Sequence, residues 1–190
     1  MKNREYNTQR TCGIWLVYIG AIIIISAISG GESLIQPFVL GFGGFLGYFL
    51  IYMLPFLNQK LAYGKNSKFQ DKMDNINILV TVILCTLCGM YIGFENPRFV
   101  WLSILIIVGI HFLGFYFSQG KWMIVLGVLT IINGLLGLIF INIPFLIFAS
   151  IDGLIKIIIG FKMLFMKRNW TVRSVEKWGT LINYSSLITR

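Results

Sequence analysis

Asp152 and Lys156 stand four residues apart in IDGLIKII, residues 151–158, where the other members are Ile, Leu and Gly. On a helix that spacing puts both side chains on one face, within reach of each other. The surrounding run, 144–166, is otherwise almost wholly apolar. A charge at mid-bilayer costs at least about 2.5 to 3.5 kcal/mol, so it turns into the bundle and takes a partner. Each of the two residues is therefore the other's counter-ion. Counting about 1.5 Å per residue puts Asp152 roughly 12 Å and Lys156 roughly 18 Å in from Pro144. By the same count His111 lies roughly 18 Å from Phe99 and Asn133 roughly 16 Å from Trp122, near the same midplane. These four residues, from three different apolar runs, define an intramembrane polar layer. Its chemistry would be a proton relay through His111 with Asp152 as acceptor, or the binding of a small ion or polar solute. The competing role is structural, with the same side chains hydrogen-bonding helix to helix.

A second chemistry is written in CTLC, where Cys85 and Cys88 fall in the outer half of the third apolar run. Quinone-linked membrane thiol oxidoreductases place their redox pair at such a depth. They also need a second, outward-facing pair, whereas the remaining Cys12 falls at the opposite end of the first run. Two inert cysteines are the better account. One histidine and three scattered cysteines cannot build a structural zinc site, so no metal and no cofactor are expected. GFGG lies inside an apolar run, where its glycines serve packing rather than phosphate binding. No Gly-x-Ser-x-Gly elbow occurs and no catalytic residue is assigned.

The elements that must position these residues follow from composition. Of 190 residues, 57% are apolar and 12% charged, and the mean hydropathy is +0.80. That is more apolar surface than a soluble core of this size can hide. Six nearly uncharged runs occur, at 13–29, 34–57, 76–94, 99–118, 122–141 and 144–166. Each is about the length that crosses roughly 30 Å of hydrocarbon as a helix, and continuous runs argue against a strand barrel. The first could be a secretory signal ending at Ala27-Ile28-Ser29, but it is long for one and the next run follows at once. The fold class is therefore all-α: a polytopic membrane bundle of six helices in three hairpins over residues 1–166. Each outward turn ends in a proline, Pro37, Pro97 or Pro144, a residue tolerated at a helix start because the first N–H groups have no partner there.

The net charge of +9 would suggest nucleic acid in a soluble protein, yet its distribution points to a membrane surface. Basic residues crowd the N-terminal segment, the loop after the second run, Lys121 and the tail, while the alternate loops hold only Arg98. By the positive-inside rule both termini are cytoplasmic, which requires an even number of spans. Ser67 and Gln70 have capping-box spacing, which predicts that the third helix starts near Lys68, ahead of its apolar run. The basic tail, 167–190, carries Lys167, Arg168, Trp170, Arg173, Lys177 and Trp178 at a spacing suited to a helix lying on anionic lipid headgroups. Gly43-xxx-Gly47, Ala149-xxx-Gly153 and the Gly134, Gly137 patch mark close helix approaches, and a homo-oligomer through such faces is the protein partner they allow.

KFQDKMDN before the third run, WLSILIIVGIHFLGFYF in the fourth, QGK at the next turn and IDGLIKIIIG in the sixth together resemble a family of small bacterial membrane proteins of unknown function. The resemblance implies a bacterial plasma-membrane location and brings no established activity. A looser likeness, GVLTIINGLLGLI followed by IDGLIK over residues 127–160, is similar to six-helix proteins associated with acid resistance and implies a stress-protective role. The working expectation is a small transport-like or stress-associated membrane protein whose polar layer handles protons or a small solute. Its rival is a structural or regulatory membrane protein whose polar layer only holds the bundle together.

Overall fold

The computed structural model describes residues 6–54, 61–62, 64–92 and 96–166, and Tyr6–Phe165 form one compact unit. The described elements are helical: α1 (Gln9–Ile28), α2 (Pro37–Tyr48), α3 (Lys68–Ile92), α4 (Pro97–Gly114), the single turn α5 (Tyr116–Gln119), α6 (Lys121–Ile139) and α7 (Phe145–Leu164). A 3-10 turn spans Gly31–Ser33, and a wide π turn, Phe49–Met53, continues α2.

Local chemistry sets the helix starts. Gln36 is extended, as the residue before a proline must be, and Pro37 opens α2. Residues 34–36 are therefore not helical, although the apolar run begins at 34; Leu34 sits at φ +63°, a left-handed conformation that a leucine rarely adopts. Asn96 caps α4 by accepting from the Phe99 N–H at 3.3 Å. Ser67 and Gln70 form the reciprocal capping box, with the Ser67 N–H donating to Gln70 Oε1 at 2.9 Å and the Gln70 N–H to Ser67 Oγ at 3.3 Å, so α3 starts at Lys68.

Four helices are long and apolar enough to cross a membrane: α1, α3, α4 and α6. The 20-residue α7 equals α1 in length but carries Asp152, Lys156 and Lys162, and Pro37–Met53 is apolar but shorter. The outer surface is densely apolar, with Leu79 61%, Val82 58% and Ile158 65% exposed. Such a surface is compatible with a membrane protein and would be an aggregation liability in water.

In the packing, α1 lies between α2 and α7, α4 lies between α3 and α6, and α6 meets α7 to join the two sets. Two antiparallel contacts are built on glycine. A Cβ on Gly13 would stand 2.7 Å from the Gly160 carbonyl oxygen and one on Gly160 would stand 2.6 Å from that of Gly13. Gly20 and Gly153 repeat the arrangement at 2.6 and 2.7 Å. Seven residues separate the two glycines on each helix, so one register brings both pairs into backbone contact along the α1–α7 seam. Gly109 of α4 and Gly127 of α6 do the same at 3.0 and 2.6 Å. Close approach matters here because hydrocarbon supplies no hydrophobic drive between helices, which leaves dispersion and hydrogen bonds to hold them. Gly43 and Gly47 of α2 accommodate Ile22 and Tyr18 of α1, and the Tyr18 hydroxyl donates to the Gly43 carbonyl at 2.9 Å.

The far turns are tied down by polar side chains. Arg98 donates to the carbonyls of Gly137, Phe140 and Ile143 at 2.8 to 3.1 Å, satisfying the frayed end of α6, and lies over the Phe148 ring. Trp101 Nε1 donates to the Ser33 carbonyl at 2.9 Å, fastening the α1–α2 turn to α4. A backbone carbonyl oxygen stands within 2.7 Å of a Cβ at either Gly20 or Gly153, and a carbonyl cannot swing aside as a side chain can. Gly20→Ala and Gly153→Ala are each expected to destabilise the detergent-solubilised protein by about 1–3 kcal/mol, measured by thermal unfolding. Gly89→Ala, a position with nothing within 4 Å of the new methyl, is expected to unfold with the parent.

Candidate functional site

Lys156 and Asp152 form an ion pair along one face of α7, with relative exposures of 2% and 0%. The second carboxylate oxygen, Oδ1, accepts from the Thr130 hydroxyl of α6 at 3.3 Å. The ammonium lies 5.3 Å from the centroid of the Phe112 ring of α4, close enough for a cation–π contribution. From the fourth side comes Gly20 of α1, whose missing side chain leaves room for the Lys156 stem: a Cβ there would stand 3.2 Å from Lys156 Cβ. The pair thus sits where α1, α4, α6 and α7 converge. Apolar clusters flank it, one built on Cys12, Leu16, Phe112, Leu126 and Met163, the other on Ala27, Leu102, Phe145 and Phe148.

Asn133 is buried one turn along α6 from Thr130, on the same face, and its Nδ2 donates to the Phe148 carbonyl of α7 at 2.8 Å. Thr130 and Asn133 therefore make successive rungs between α6 and α7, the first to a side chain and the second to the backbone. His111 points elsewhere. Its Nδ1 is 2.7 Å from the Thr81 hydroxyl of α3, which also donates to the Asn77 carbonyl at 2.8 Å. With the hydroxyl hydrogen used there, this pattern assigns the ring proton to Nδ1. Asn77 Nδ2 completes a ring of contacts by donating to the His111 carbonyl at 2.8 Å, in the space that Gly114 leaves open. The Phe115 ring meets the imidazole edge-on at 4.5 Å.

The four residues read as a polar layer are thus divided between two seams. Asp152, Lys156 and Asn133 hold α7 to α6, whereas His111 holds α4 to α3. Thr130, Asn77 and Thr81 complete these contacts and were not singled out from the sequence. The signals were present, since Thr130 precedes Asn133 by three residues and Asn77 precedes Thr81 by four, each spacing placing two polar groups on one face. Cys85 and Cys88 are half-buried free thiols on α3, and Cys12 is a buried free thiol hydrogen-bonded to Tyr52. Lys167, Arg168, Trp170, Arg173, Lys177 and Trp178 lie outside the described residues.

A family model described as a family of unknown function, DUF6609, matches residues 1–173, and the chain belongs to that family. No curated protein and no solved structure matches the chain.

Separate seams imply separate responses. His111→Leu removes one interhelical hydrogen bond, worth about 0.6 to 1.7 kcal/mol in membrane bundles. Deuterium exchange in detergent is expected to quicken in α3 and stay unchanged in α7. Equal quickening in α7 would mean that His111 is coupled to the Asp152–Lys156 pair.

Proposed function

We propose that this member of DUF6609 is a structural or regulatory protein of the bacterial plasma membrane, crossing it six times, in which the Asp152–Lys156 pair locks the bundle and forms no permeation route. The observation that carries the reading is the burial of both charges against each other, with Thr130, Phe112 and the Gly20 gap completing their surroundings. A proton relay or solute site needs exchangeable positions around the charge. Here each side of the pair is taken by a protein group.

Six spans are supported by what excludes the last two from the strictly apolar set. In α7 two of the three charges neutralise each other inside the bundle and Lys162 lies at the end of the helix, 3.9 Å over the Trp122 ring, where a lysine can reach the interface. In α2 the π turn and Leu54 carry the apolar stretch past its 12 helical residues. The orientation with both termini cytoplasmic is supported by charge. Arg10, Lys65, Lys68, Lys72, Lys121 and Lys162 lie at the end of the bundle where α1 begins, and at the opposite end Arg98 is the basic residue among those described. On the same ground we propose that the Lys, Arg and Trp residues of 167–190, outside the described residues, meet anionic headgroups on the cytoplasmic side.

Two measurements check this reading. A C-terminal fluorescent reporter that matures only in the cytoplasm is expected to light up. Proton entry into liposomes carrying the purified protein is expected to equal that of empty liposomes, and Asp152→Leu/Lys156→Leu to leave it there. Protein-dependent flux that the double substitution abolishes would return the pair to a transport role.

A further inference from the structure

The apolar length of α3 is left uncovered by the rest of the chain. Among the described residues α3 packs on α4 and the turn α5, and none of its membrane-length window is buried. Its hydrogen bonds to those neighbours come from Gln70, Asn77 and Thr81, which share one face. Roughly opposite that face, alternating steps of three and four residues give a second line: Lys72, Asn75, Leu79, Val82, Thr86 and Gly89. Lys72, Asn75, Leu79, Val82 and Thr86 are exposed, and a methyl on Gly89 would meet nothing within 4 Å. Such spacing is the seam along which two helices wind around each other, knob into hole. The side chains shorten toward the outer end, from Leu79 through Val82 and Thr86 to Gly89, so a facing backbone can close in there.

The polar members of the line select the occupant. Asn75 is exposed at the edge of the apolar run, and its side-chain amide is bonded to no described residue. An amide carries both donor and acceptor, so two copies of Asn75 related by a two-fold axis satisfy each other. In heptad packing a knob at position 72 fits beside position 71 of the facing helix, so Lys72 meets Asp71 of the partner subunit, and the symmetry makes that contact twice. Both residues are exposed. Acyl chains supply neither interaction. The glycine faces that could have carried a contact between copies are occupied inside the bundle: Gly43 by Ile22, Gly47 by Tyr18, Gly153 by Gly20, and Gly134 and Gly137 by Ile106 and Leu102. The exposed stripe of α2, Phe38, Phe42, Phe45 and Phe49, is wholly apolar, and lipid covers it as well as a protein would.

We propose that two copies of this chain pair in the membrane through α3, parallel and about a two-fold axis along the bilayer normal, with Asn75 and the Asp71–Lys72 contacts fixing the register and Gly89 marking the closest approach. The seam lies away from Asn77 and Thr81, so pairing leaves the His111 contacts in place. It rests on the membrane reading above only in requiring both copies to insert in the same sense, which the C-terminal reporter tests separately.

The test is oxidative crosslinking of the full chain in its membrane, with Cys85 and Cys88 replaced by Ser and single cysteines introduced around one turn. Leu79→Cys and Val82→Cys are expected to give covalent dimers. Val80→Cys and Ile83→Cys, also exposed but off the line, and Phe45→Cys on α2 are expected to stay monomeric. Energy transfer between labelled full-length copies in liposomes then reads the affinity. Asn75→Leu and Gly89→Leu are each expected to weaken pairing about tenfold. Asp71→Lys is expected to weaken it and Asp71→Lys/Lys72→Asp to restore it; adjacent residues do not face each other on a helix, so the recovery reports contact between copies. Ile158→Trp, on an exposed face of α7, is expected to change nothing. Equal crosslinking at every position would mean random collision and overturn the pairing. Crosslinks confined to Val80→Cys and Ile83→Cys, or to Phe45→Cys, would overturn it in favour of another face, and none at all would leave α3 to lipid.

Discussion

A carboxylate and an ammonium enclosed in an apolar bundle cannot be left to themselves, and the arrangement of α1, α4, α6 and α7 follows from that requirement. Neither Asp152 nor Lys156 has water to turn to. The two reach each other because four residues along α7 return to the same face. Thr130 takes the second carboxylate oxygen, the Phe112 ring accepts the ammonium, and Gly20 keeps α1 close without crowding the lysine stem. Each of these residues comes from a different helix, so satisfying one ion pair orders the whole centre of the bundle. A buried pair of this kind adds little net stability compared with well-packed apolar residues. Its effect lies in the cost of any arrangement that parts the charges, which specifies one packing over others.

Glycine provides the proximity this requires. The Gly13/Gly160 and Gly20/Gly153 contacts set α1 and α7 backbone to backbone, and Gly109/Gly127 does so for α4 and α6. Gly153 adjoins Asp152 in sequence, so the residue that brings α1 into contact and the residue that carries the charge are set by the same turn of α7. The α3 helix is attached differently, through hydrogen bonds among Asn77, Thr81 and His111 and through its short-range contacts with α5. Its apolar segment is otherwise exposed along its length. The bundle thus combines a glycine-sealed, charge-locked centre with a peripheral helix held by a few polar contacts.

How much of this the sequence disclosed depended on range. Short-range chemistry was legible: the Ser67–Gln70 box, the prolines at the helix starts and the Asp152–Lys156 spacing each involve residues within four positions, and each occurs in the fold. The level along the bundle also followed from the constant rise per residue, since His111 adjoins Phe112, whose ring meets the Lys156 ammonium. Rotation did not. When nearly every face of α4 is apolar, periodicity does not say which way His111 turns, and it turns to α3. The register of α1 against α7 was equally hidden, although both helices show glycines seven residues apart, because an antiparallel partner is a property of the fold. Thr130 went unnoticed because a threonine is unremarkable in an apolar helix until a carboxylate lies opposite.

The measurement that bears most directly on the central claim is a double-mutant cycle on thermal stability in detergent with Asp152→Asn, Lys156→Met and both together. A dry, mutually satisfied pair predicts that each single substitution, by leaving its partner charged and unpaired, costs about 3–5 kcal/mol, and that the double recovers much of that loss. If the single substitutions are as stable as the parent, or if the losses simply add, the charges are solvated independently and the pair does not hold the bundle.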